Sequence, residues 1–505
     1  MSVKEQISKL KDLSGSSAAK QRILSLCDEG SFSEIGEFYK SRDGLCEAVC
    51  GFATVGGEGI YVFAQSPDVS DGAMSLAQAK KIKTIYDLAA KNGRPVVGIF
   101  DSKGVRIDDG ADAMNAFSEV INSASLLSGV VPQIAVVAGE CTGQSAVLCA
   151  QFDIVIMDKT AKLSLYPSSV YKKGEEIGTA DFALKNGTAH IACDGLSACF
   201  EQVGAVLSVL PQNNLAPSKR LDGGTPTVCP VIKNELLDSE DKIHLADNFG
   251  ETAETLLARI DGKPCGAVLT KQRKLDAASV KKISRFVRMC DAFSIPLVTI
   301  IDADGFSVCK DDEISNGAKL AAELSSVYCE ATTAKISLIF GRACGGIYTA
   351  LAAKGTSADI VLSTEKGVVS PLSPEAAAIV MFGERIKAGE SIDALSKEYE
   401  EKFGSALYAA EKGYIDESYY NKFIQVCEKF NLPLGFNLPL HEEDEITERD
   451  KDKTNKEILE IMKNDKKNSF GKINLILPID FGKVEIIDNI DEDEILNIIK
   501  GANDA

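Results

Sequence analysis

The sequence alternates between short, continuous apolar runs and longer segments whose apolar residues recur at helical spacing. In the first half, the apolar runs cover residues 59–66, 95–101, 133–139 and 153–158. Strands that are buried on both faces have such continuous apolar runs, and parallel strands need crossover helices between them. The pattern therefore predicts an α/β fold in which a parallel sheet is covered by helices.

Three segments of the first half have the periodicity of helices. Residues 1–50 are predicted to form a helical N-terminal arm, and another helix is predicted over residues 111–128. The strongest pattern covers residues 72–93, where Gly93 marks the end of the helix. One face of this segment is predicted to be buried, and it consists of Leu76, Ala79, Ile82, Ile85 and Leu88.

The second half of the chain repeats the first at an offset of about 200 residues. Two pairs of segments align: PVVGIFDSKG (95–104) with PLVTIIDADG (296–305), and QIAVVAGECTGQSA (133–146) with KISLIFGRACGGIY (335–348). Gly139 and Gly341 lie 202 positions apart. A helix over residues 276–294 carries a second predicted buried face, consisting of Val280, Ile283, Phe286 and Val287. One supersecondary unit has been built twice, which suggests a protein that holds two ligands face to face.

Each copy places a glycine-containing turn directly after an apolar strand. A backbone N–H group at the start of a helix points outward and can stabilise an oxyanion without a proton donor. The candidates are Gly143 and Gln144 in the first copy, and Gly345, Gly346 and Ile347 in the second. Glycine can also serve only to permit a tight turn. Two such turns at equivalent places of a repeat favour the functional interpretation.

The loop after the first repeated strand is charged in both copies. In the first copy, SKGVRIDDG contains Lys103, Gly104 and Arg106. In the second copy, ADGFSVCKDDE contains Asp304 and Phe306. Charged residues in a loop more often interact with solvent than with a substrate, so residue type alone favours the structural alternative here.

Composition limits the chemistry. The 505 residues include only three histidines, and no GxSxG motif occurs, which disfavours a Ser-His-Asp triad. The net charge of −19 argues against nucleic acid as a main partner. None of the 14 cysteines forms a CxxC pair, so we expect reduced thiols and no metal site.

Targeting signals are not evident in the sequence. No apolar run approaches the roughly 20 residues that span a bilayer, and MSVKEQISKLKDLSG lacks the apolar stretch of a signal peptide. We therefore predict a cytoplasmic protein, with docking onto a membrane complex left open.

The last 65 residues differ in composition from the rest. Residues 441–505 contain 18 acidic and 10 basic residues, and HEEDEITERDKDKTNKE is predicted to be a solvated linker. INLILPIDFGKVEII (473–487) has strand character, and DEDEILNIIKG (491–501) has helix character. A small appended domain, a docking segment and a partly ordered tail remain alternatives.

These motifs together resemble the carboxyltransferase subunits of biotin-dependent acyl-CoA carboxylases and decarboxylases. The family's GGARIQEG-like loop corresponds to KGVRIDDG (103–110), and its GPCAGGA-like turn corresponds to GECTGQS (139–145). The second-half motifs DVPGF and RKAYGGAY correspond to DADGF (302–306) and GRACGGIY (341–348). The stretch RFVRMCDAFSIPLVTIID (285–302) is the most similar to the family pattern. The resemblance spans about residues 20–420.

The resemblance implies two tandem crotonase-like domains and a small acidic C-terminal extension. Residues 1–250 would bind the acyl-CoA, residues 251–440 would bind carboxybiotin, and residues 441–505 would be the extension. The family carries out carboxyl transfer between two backbone-amide oxyanion holes, which face each other between protomers of a homo-oligomer. Its chemistry depends on proximity and electrostatics more than on acid–base residues.

The resemblance also implies roles for individual residues. Gly143 and Gln144 would form the first oxyanion hole, and Gly346 and Ile347 the second. The residues expected near the acyl-CoA or biotin are Lys103, Gly104, Arg106, Phe306 and Gly345. Biotin would arrive on a separate carrier protein, since no AMKM-type biotinylation site occurs. Partners would be a biotin carboxyl carrier protein, together with a biotin carboxylase or a membrane decarboxylase subunit, in a homo-oligomer that is a hexamer or a dimer.

Four positions depart from the family pattern. Lys103 and Gln144 stand where glycine is usual, Glu140 where proline is usual, and Cys344 where tyrosine is usual. Three of the four lie in the first copy. These departures keep open the hypothesis of a non-catalytic assembly subunit with the same fold.

A biotin-independent crotonase-like hydratase or thioester hydrolase is a further alternative. It would need a carboxylate pair, Asp108 or Asp109 with Glu140, near the first hole. The acyl group and the direction of the reaction do not follow from the sequence, because carboxylation and decarboxylation share one site.

Overall fold

The structure is a computed structural model that describes most of residues 3–416 and one later hairpin. Within 3–416, the residues outside the description are 16, 43, 173–175, 220–236, 239–241, 261, 272–273, 308, 316 and 357. The chain divides into two compact units, Met1–Phe436 and Asn437–Ala505. The predicted acidic linker and the predicted C-terminal helix lie outside the described residues.

The first copy is built on an eight-stranded sheet. Its strands are β1 (Ser33–Glu34), β4 (Ala48–Val55), β5 (Glu58–Gln65), β6 (Val96–Ser102), β7 (Gln133–Thr142), β8 (Ile154–Asp158), β9 (Lys162–Ser164) and β10 (Ile191–Cys193). The order is β1-β4-β5-β6-β7-β8-β10, with β9 also paired to β7. A separate short hairpin consists of β2 (Lys40–Ser41) and β3 (Gly44–Leu45).

The second copy repeats this arrangement in a seven-stranded sheet. Its strands are β11 (Ile243–His244), β12 (Ala253–Ile260), β13 (Lys263–Thr270), β14 (Leu297–Ala303), β15 (Lys335–Cys344), β16 (Ile360–Ser363) and β17 (Val368–Ser370). They follow the order β11-β12-β13-β14-β15-β16, with β17 paired to β15. The predicted duplication is therefore confirmed at the level of sheet topology. The domain boundary at residue 250 stays a prediction.

Two expectations about the strands were wrong. The sheets are mixed, because β1–β4–β5 and β11–β12–β13 are antiparallel and only the later strands pair in parallel. The arm predicted to be helical over residues 1–50 ends its helices at Leu26 and then forms strands. Residues 48–55 are too short an apolar segment to separate a strand from a helix by periodicity, and the tight turn at Gly56–Gly57 lets them pair with the next strand.

Helices cover both sheets. They are α1 (Val3–Gly15), α2 (Ala18–Leu26), α3 (Leu76–Asn92), α4 (Ala111–Leu126), α5 (Gln144–Ala150), α6 (Ala180–Lys185), α7 (Leu196–Val209), α8 (Ala277–Ala292), α9 (Lys310–Ile314), α10 (Gly317–Glu330), α11 (Pro374–Met381), α12 (Gly383–Lys387), α13 (Ile392–Tyr399) and α14 (Ala406–Glu411). Two π-helices span Tyr348–Ala352 and Glu400–Gly404. Helix α3 ends at Gly93 as predicted, because Gly93 adopts the left-handed conformation that closes a helix.

The predicted helix faces pack into the core, with one exception. In α8, the side chains of Val280, Ile283, Phe286 and Val287 are all buried. In α3, Ala79, Ile82 and Ile85 are buried, but Leu76 is exposed because it begins the helix at the edge of the packed surface. One hydrophobic cluster includes residues of both sheets, so the two copies share a core.

The second compact unit is described only by a hairpin. Strands β18 (Leu475–Asp480) and β19 (Lys483–Ile487) pair antiparallel, which confirms the strand character predicted for residues 473–487.

Candidate active site

The two glycine turns share a left-handed φ at their first glycine. Strand β7 ends at Thr142, and Gly143 follows with a φ of 60° before α5 begins. Strand β15 ends at Cys344, and Gly345 follows with a φ of 59°. This region of backbone space is unfavourable for residues with a Cβ atom, so both turns need glycine.

This match fixes the register between the copies. Because Gly143 is equivalent to Gly345, Gln144 is equivalent to Gly346 and Ser145 is equivalent to Ile347. The amide pairs predicted for the two holes are thus offset by one residue. Ser145 is the position that the sequence reasoning missed, although the spacing of 202 residues between Gly139 and Gly341 carried this register.

An aspartate supports each strand–turn unit from the neighbouring strand, and Asp302 is buried whereas Asp101 is partly buried. A Cβ atom on Gly139 would overlap the carboxylate of Asp101, and one on Gly341 would overlap that of Asp302. The backbone N–H of Arg342 donates to Asp302 Oδ1 at 3.0 Å. In both copies the strand pairing shifts register next to the aspartate, and such bulges commonly occur beside active sites.

In the first copy, the predicted residues Gly104, Gly143 and Gln144 lie together. Gly104 has a φ of 94°, and a Cβ atom there would lie 3.1 Å from Thr142 O and 3.8 Å from Gln144 N. The Gly104 N–H donates to Ser102 Oγ at 3.2 Å, and Ser145 Oγ donates to the same oxygen at 2.9 Å. The N–H groups of the first helical turn have no partner inside the helix. Those of Gln144 and Ser145 are therefore free of the helix ladder beside Gly104.

The charged residues of the first loop have different environments. Lys103 is half exposed and its Nζ lies 3.1 Å from Asp71 Oδ1. Arg106 is buried, and its guanidinium lies 2.9 Å from Glu47 Oε1 and 3.1 Å from Asp108 Oδ1. The hydrogen bond from Arg106 lowers the pKa of Asp108. Arg106 is therefore committed to ion pairs that hold the loop, whereas Lys103 remains accessible at the surface.

The segment beside Lys103 has an unusual backbone. Ser70, Asp71 and Gly72 have φ values of 50°, 54° and 68°, and two of these residues are not glycine. The Lys103 N–H donates to Asp71 O at 3.1 Å, which ties this segment to the loop. Such conformations concentrate at ligand-binding and catalytic sites.

In the second copy, Phe306 lies against Gly346. A Cβ atom on Gly346 would lie 2.7 Å from Phe306 Cε2, so this position needs glycine. Gly346 is exposed, whereas Ile347 is buried. The Gly345 N–H donates to Ser370 O at 2.8 Å, so this amide fixes the turn. The exposed amide next to the Phe306 ring is that of Gly346.

An ion-pair network joins three elements beside the second turn. Arg342 contacts Asp304 Oδ1 at 3.2 Å and Glu375 Oε1 at 2.7 Å. Burial opposes the charge of Arg342, but hydrogen bonds to Glu375 and Asp304 raise its pKa above the usual value. The same contacts lower the pKa of Glu375 against the effect of burial. The loop after β14, strand β15 and helix α11 are thus held around the second turn.

The charges at equivalent positions are reversed between the copies. Lys103 of the first copy corresponds to Asp304 of the second, and Glu140 corresponds to Arg342. Glu140 is half-buried, and it has no ion-pair partner among the residues that the structure describes. The two sites therefore differ electrostatically although their backbones match.

A cavity of about 460 Å³ lies beside α5. It is lined by apolar side chains that include Ala146, Val147, Leu163 and Phe182, with Tyr171 at one side. Because α5 begins at the first turn, an acyl chain bound to that turn has apolar surface available close by.

The comparisons with known proteins identify the family. The carboxyl transferase domain family matches residues 12–422. The α-subunit of methylmalonyl-CoA decarboxylase from Propionigenium modestum is 31% identical over 471 residues, which cover 84% of this chain and 91% of that protein. This chain belongs to the carboxyl transferase family. The biotin-dependent acetyl-/propionyl-CoA carboxylase β5 subunit of Mycobacterium tuberculosis is also 31% identical, over 80% of this chain and 84% of that one.

The fold agrees with this membership. Transcarboxylase 12S, solved as a hexamer with methylmalonyl-CoA and methylmalonic acid bound, superposes with a TM-score of 0.79 at 24% identity. The match covers 88% of this chain and 99% of that chain. The predicted fold of two tandem crotonase-like domains is therefore confirmed, as is the prediction of a carboxyltransferase.

The structure shows where the residues lie that differ between this carboxyl transferase and its family pattern. Cys344 is buried beside the second turn, and burial raises the pKa of its thiol to about 12, so the thiol stays neutral. Gln144 is half-buried in the first turn of α5. The carboxylate of Asp108, one of the two aspartates named in the hydratase alternative, lies in ion pairs with Arg106 and Arg42.

Several negative findings apply to the described residues only. Within that part of the chain, no helix is long and apolar enough to cross a membrane. The same residues include no cluster of three or more histidine, cysteine, aspartate or glutamate side chains suited to a metal ion. The cysteines that the structure describes are all free thiols.

Proposed function

We propose that this carboxyl transferase moves a carboxyl group between an acyl-CoA and biotin, with one glycine turn serving each partner. The observation that carries the proposal is the matched pair of turns at Gly143 and Gly345, one in each crotonase-like copy. Named relatives that are decarboxylase and carboxylase subunits for methylmalonyl-CoA and propionyl-CoA support it.

At the first turn, the backbone N–H groups of Gln144 and Ser145 would bind the thioester oxygen. When the carboxyl–carbon bond of the acyl-CoA breaks, its electron pair moves towards that oxygen, and preorganised N–H donors stabilise the developing charge. Gly104 leaves space for the thioester, because any side chain there would crowd Thr142 O. Lys103, exposed at the rim, would contact a phosphate of coenzyme A.

The residues of the second turn fit biotin. The exposed Gly346 lies beside the ring of Phe306, so a flat and neutral bicyclic ring can approach the amide without a side chain in the way. Bound biotin supplies a ring nitrogen that carries the carboxyl group. Gly346 and Ile347 would donate to the ring carbonyl oxygen, while Arg342 holds the surrounding elements in place.

The organisation of the active complex completes the proposal. The acyl-CoA domain would comprise residues 1–250, the biotin domain residues 251–440, and the extension residues 441–505. We further propose that biotin arrives on a separate carrier protein and that a biotin carboxylase or a membrane decarboxylase subunit completes the complex. Cytoplasmic location, assembly as a homo-oligomer and independence from metal belong to the same proposal.

Turnover with defined substrates tests the function. The full-length chain is incubated with malonyl-CoA or methylmalonyl-CoA, with and without free biotin, and the decarboxylated acyl-CoA is quantified chromatographically. We expect biotin-dependent product from at least one substrate. Gly346→Pro, which removes one amide N–H, should abolish it in a protein that still unfolds cooperatively. Absence of biotin-dependent product from both substrates would contradict the proposal.

A non-catalytic assembly subunit is the second candidate. It is favoured by one observation: Gln144 occupies the position equivalent to Gly346 and places a half-buried side chain at the first turn. Titration calorimetry with propionyl-CoA separates the two functions, because an assembly subunit should bind no acyl-CoA. Micromolar binding that is lost in Gly104→Val would exclude this candidate.

A further inference from the structure

Helix α8 of the second copy contacts the short helix that follows the first glycine turn. Arg285 Nη2 donates to Phe152 O at 2.8 Å and approaches Ala150 O at 3.5 Å. Ala150 is the last residue of α5, and Phe152 lies in the connection to β8. The opposite end of α5 carries the amides of Gln144 and Ser145. A residue of the biotin copy therefore binds the end of the acyl-CoA helix.

We propose that Arg285 is a positioning residue for the first oxyanion hole. It holds the C-terminal end of α5 from the second copy and thereby sets where the amides at the other end of this helix lie. The inference rests on the proposed function, in which those amides bind the thioester oxygen.

The surroundings explain why arginine occupies this position. Arg285 lines a cavity of about 590 Å³ between the copies and is exposed to the solvent in it. Partial desolvation by the surrounding protein lowers the pKa of Arg285, but a guanidinium stays protonated at neutral pH. Its Nη2 atom carries two N–H donors, which can serve the carbonyl oxygens of Phe152 and Ala150 together.

Neighbouring titratable groups respond to this charge. Burial lowers the pKa of His190 to about 3, and Arg285 contributes in the same direction, so the imidazole is neutral. Its Nδ1 accepts from the Val155 N–H at 2.9 Å. Asp153 accepts from the Gln133 N–H at 2.8 Å. The side chains around Arg285 thus bond to the backbone of the first copy, and the guanidinium is the charged link across the cavity.

Helix α5 is well suited to transmit such a contact. It has seven residues, and its buried side chains Leu148 and Cys149 anchor its second half in the core. The last carbonyl groups of a helix have no partner inside it, so an external donor fixes them. Because the helix has only seven residues, the position of its fixed C-terminal end also sets the position of its first turn.

The reciprocal contact is not made. The position of α3 equivalent to Arg285 is Thr84, whose hydroxyl donates to Lys80 O at 2.9 Å within its own helix. Among the described residues, the second turn therefore has no counterpart of the Arg285 contact at this position. Loss of Arg285 should accordingly affect the acyl-CoA and leave biotin binding unchanged.

The test compares Arg285→Ala and Arg285→Lys with Arg288→Ala. Arg288 lies one turn further along α8 and lines the same cavity, but its charge pairs with Glu323 at 2.8 Å. In biotin-dependent decarboxylation, we expect Arg285→Ala to lower kcat/KM for the acyl-CoA roughly tenfold to hundredfold, as for a misplaced catalytic group. KM for biotin should stay at the wild-type value. Arg285→Lys should have an intermediate kcat/KM for the acyl-CoA, and added guanidinium should partly restore kcat/KM of Arg285→Ala.

The outcomes separate this inference from the proposed function. An inactive wild-type protein would contradict the proposed function itself. An active wild type with Arg285→Ala at the same kcat/KM would overturn the positioning role, as would an equal rise of KM for biotin. If Arg285→Ala does not fold, Arg285→Lys decides the question, because its charge is retained and only the two-carbonyl geometry is lost.

Discussion

The carboxylate of Asp302 lies directly against the α-carbon of Gly341. This contact leaves no room for a side chain at the point where β15 leads into the second turn. Asp101 and Gly139 repeat the relationship in the first copy. The two pairs therefore define how closely each strand approaches its neighbour just before the turn.

Gly341→Ala should destabilise the protein and impair the second site. The added methyl group must displace a buried carboxylate, so we expect a loss of about 1–3 kcal/mol in the free energy of unfolding. Biotin-dependent turnover should fall with it. Denaturant unfolding measures the stability, and Gly383→Ala is the control, because nothing lies within 4 Å of its added methyl group. Equal stability of the two variants would contradict the packing argument.

Gln144→Gly should widen the first turn. The substitution gives the first copy the residue that the second copy has at Gly346. We expect a lower KM for methylmalonyl-CoA, whose branch needs more space than malonyl-CoA, at a helix cost of about 1 kcal/mol. Gln151→Gly, at the residue that caps the C-terminal end of α5, removes a glutamine side chain at the other end of the helix without touching the turn. A lower KM for methylmalonyl-CoA in both variants would show that the width of the first turn is not the cause.

Lys103→Ala should weaken acyl-CoA binding and reduce its dependence on salt. The lysine is half exposed and paired only with an exposed aspartate, so it is available for an anionic ligand. A loss of roughly twofold to fivefold in affinity is expected for one exposed charge pair. Calorimetry at two ionic strengths provides the measurement, since screening weakens exposed pairs. Lys159→Ala, which removes another exposed ion-paired lysine, should leave the affinity unchanged.

Asp153→Asn should stabilise the protein at neutral pH. Burial raises the pKa of Asp153 from 3.8 to about 6, so the folded state holds a proton that the unfolded chain releases between these values. Stability therefore falls as pH rises from 4 to 6 and is flat for this group above 6. Because Asp153 lines the cavity, the gain is on the order of 1 kcal/mol. Thermal unfolding between pH 4 and 8 is the measurement. The stability of the wild type should fall from pH 4 to 6, and that of the variant should not show this fall.

The duplication could be predicted because local sequence patterns specify its strands, helices and turns. Continuous apolar runs specify strands such as β6 and β14 that helices cover on both faces, and the α8 face could be identified from its spacing. The glycine turns followed from their position after these strands. The register between the turns required only a constant offset, and the offset from Gly139 to Gly341 places Ser145 opposite Ile347.

Other parts depend on contacts that local patterns do not contain. Strand β4 is defined by its pairing with β5 and not by its own sequence. The left-handed backbone of Ser70 and Asp71 is unfavourable for their residue types, so only the surrounding structure determines it. The same holds for Arg106, which the family resemblance places near the ligands and whose burial against Glu47 no local pattern indicates.

The contact between Arg285 and Phe152 also means that α5 is translated well before the residue that holds it. Domains fold from the N-terminus as they leave the ribosome, at about 5–20 residues per second. Arg285 is 133 residues downstream of Phe152, so translation continues for roughly 7–27 s after Phe152 before Arg285 has been added. During that interval strands β8, β9 and β10 complete the sheet of the first copy, but the arginine that holds its α5 is still missing. The proposed thioester site is completed only when the second half of the polypeptide arrives.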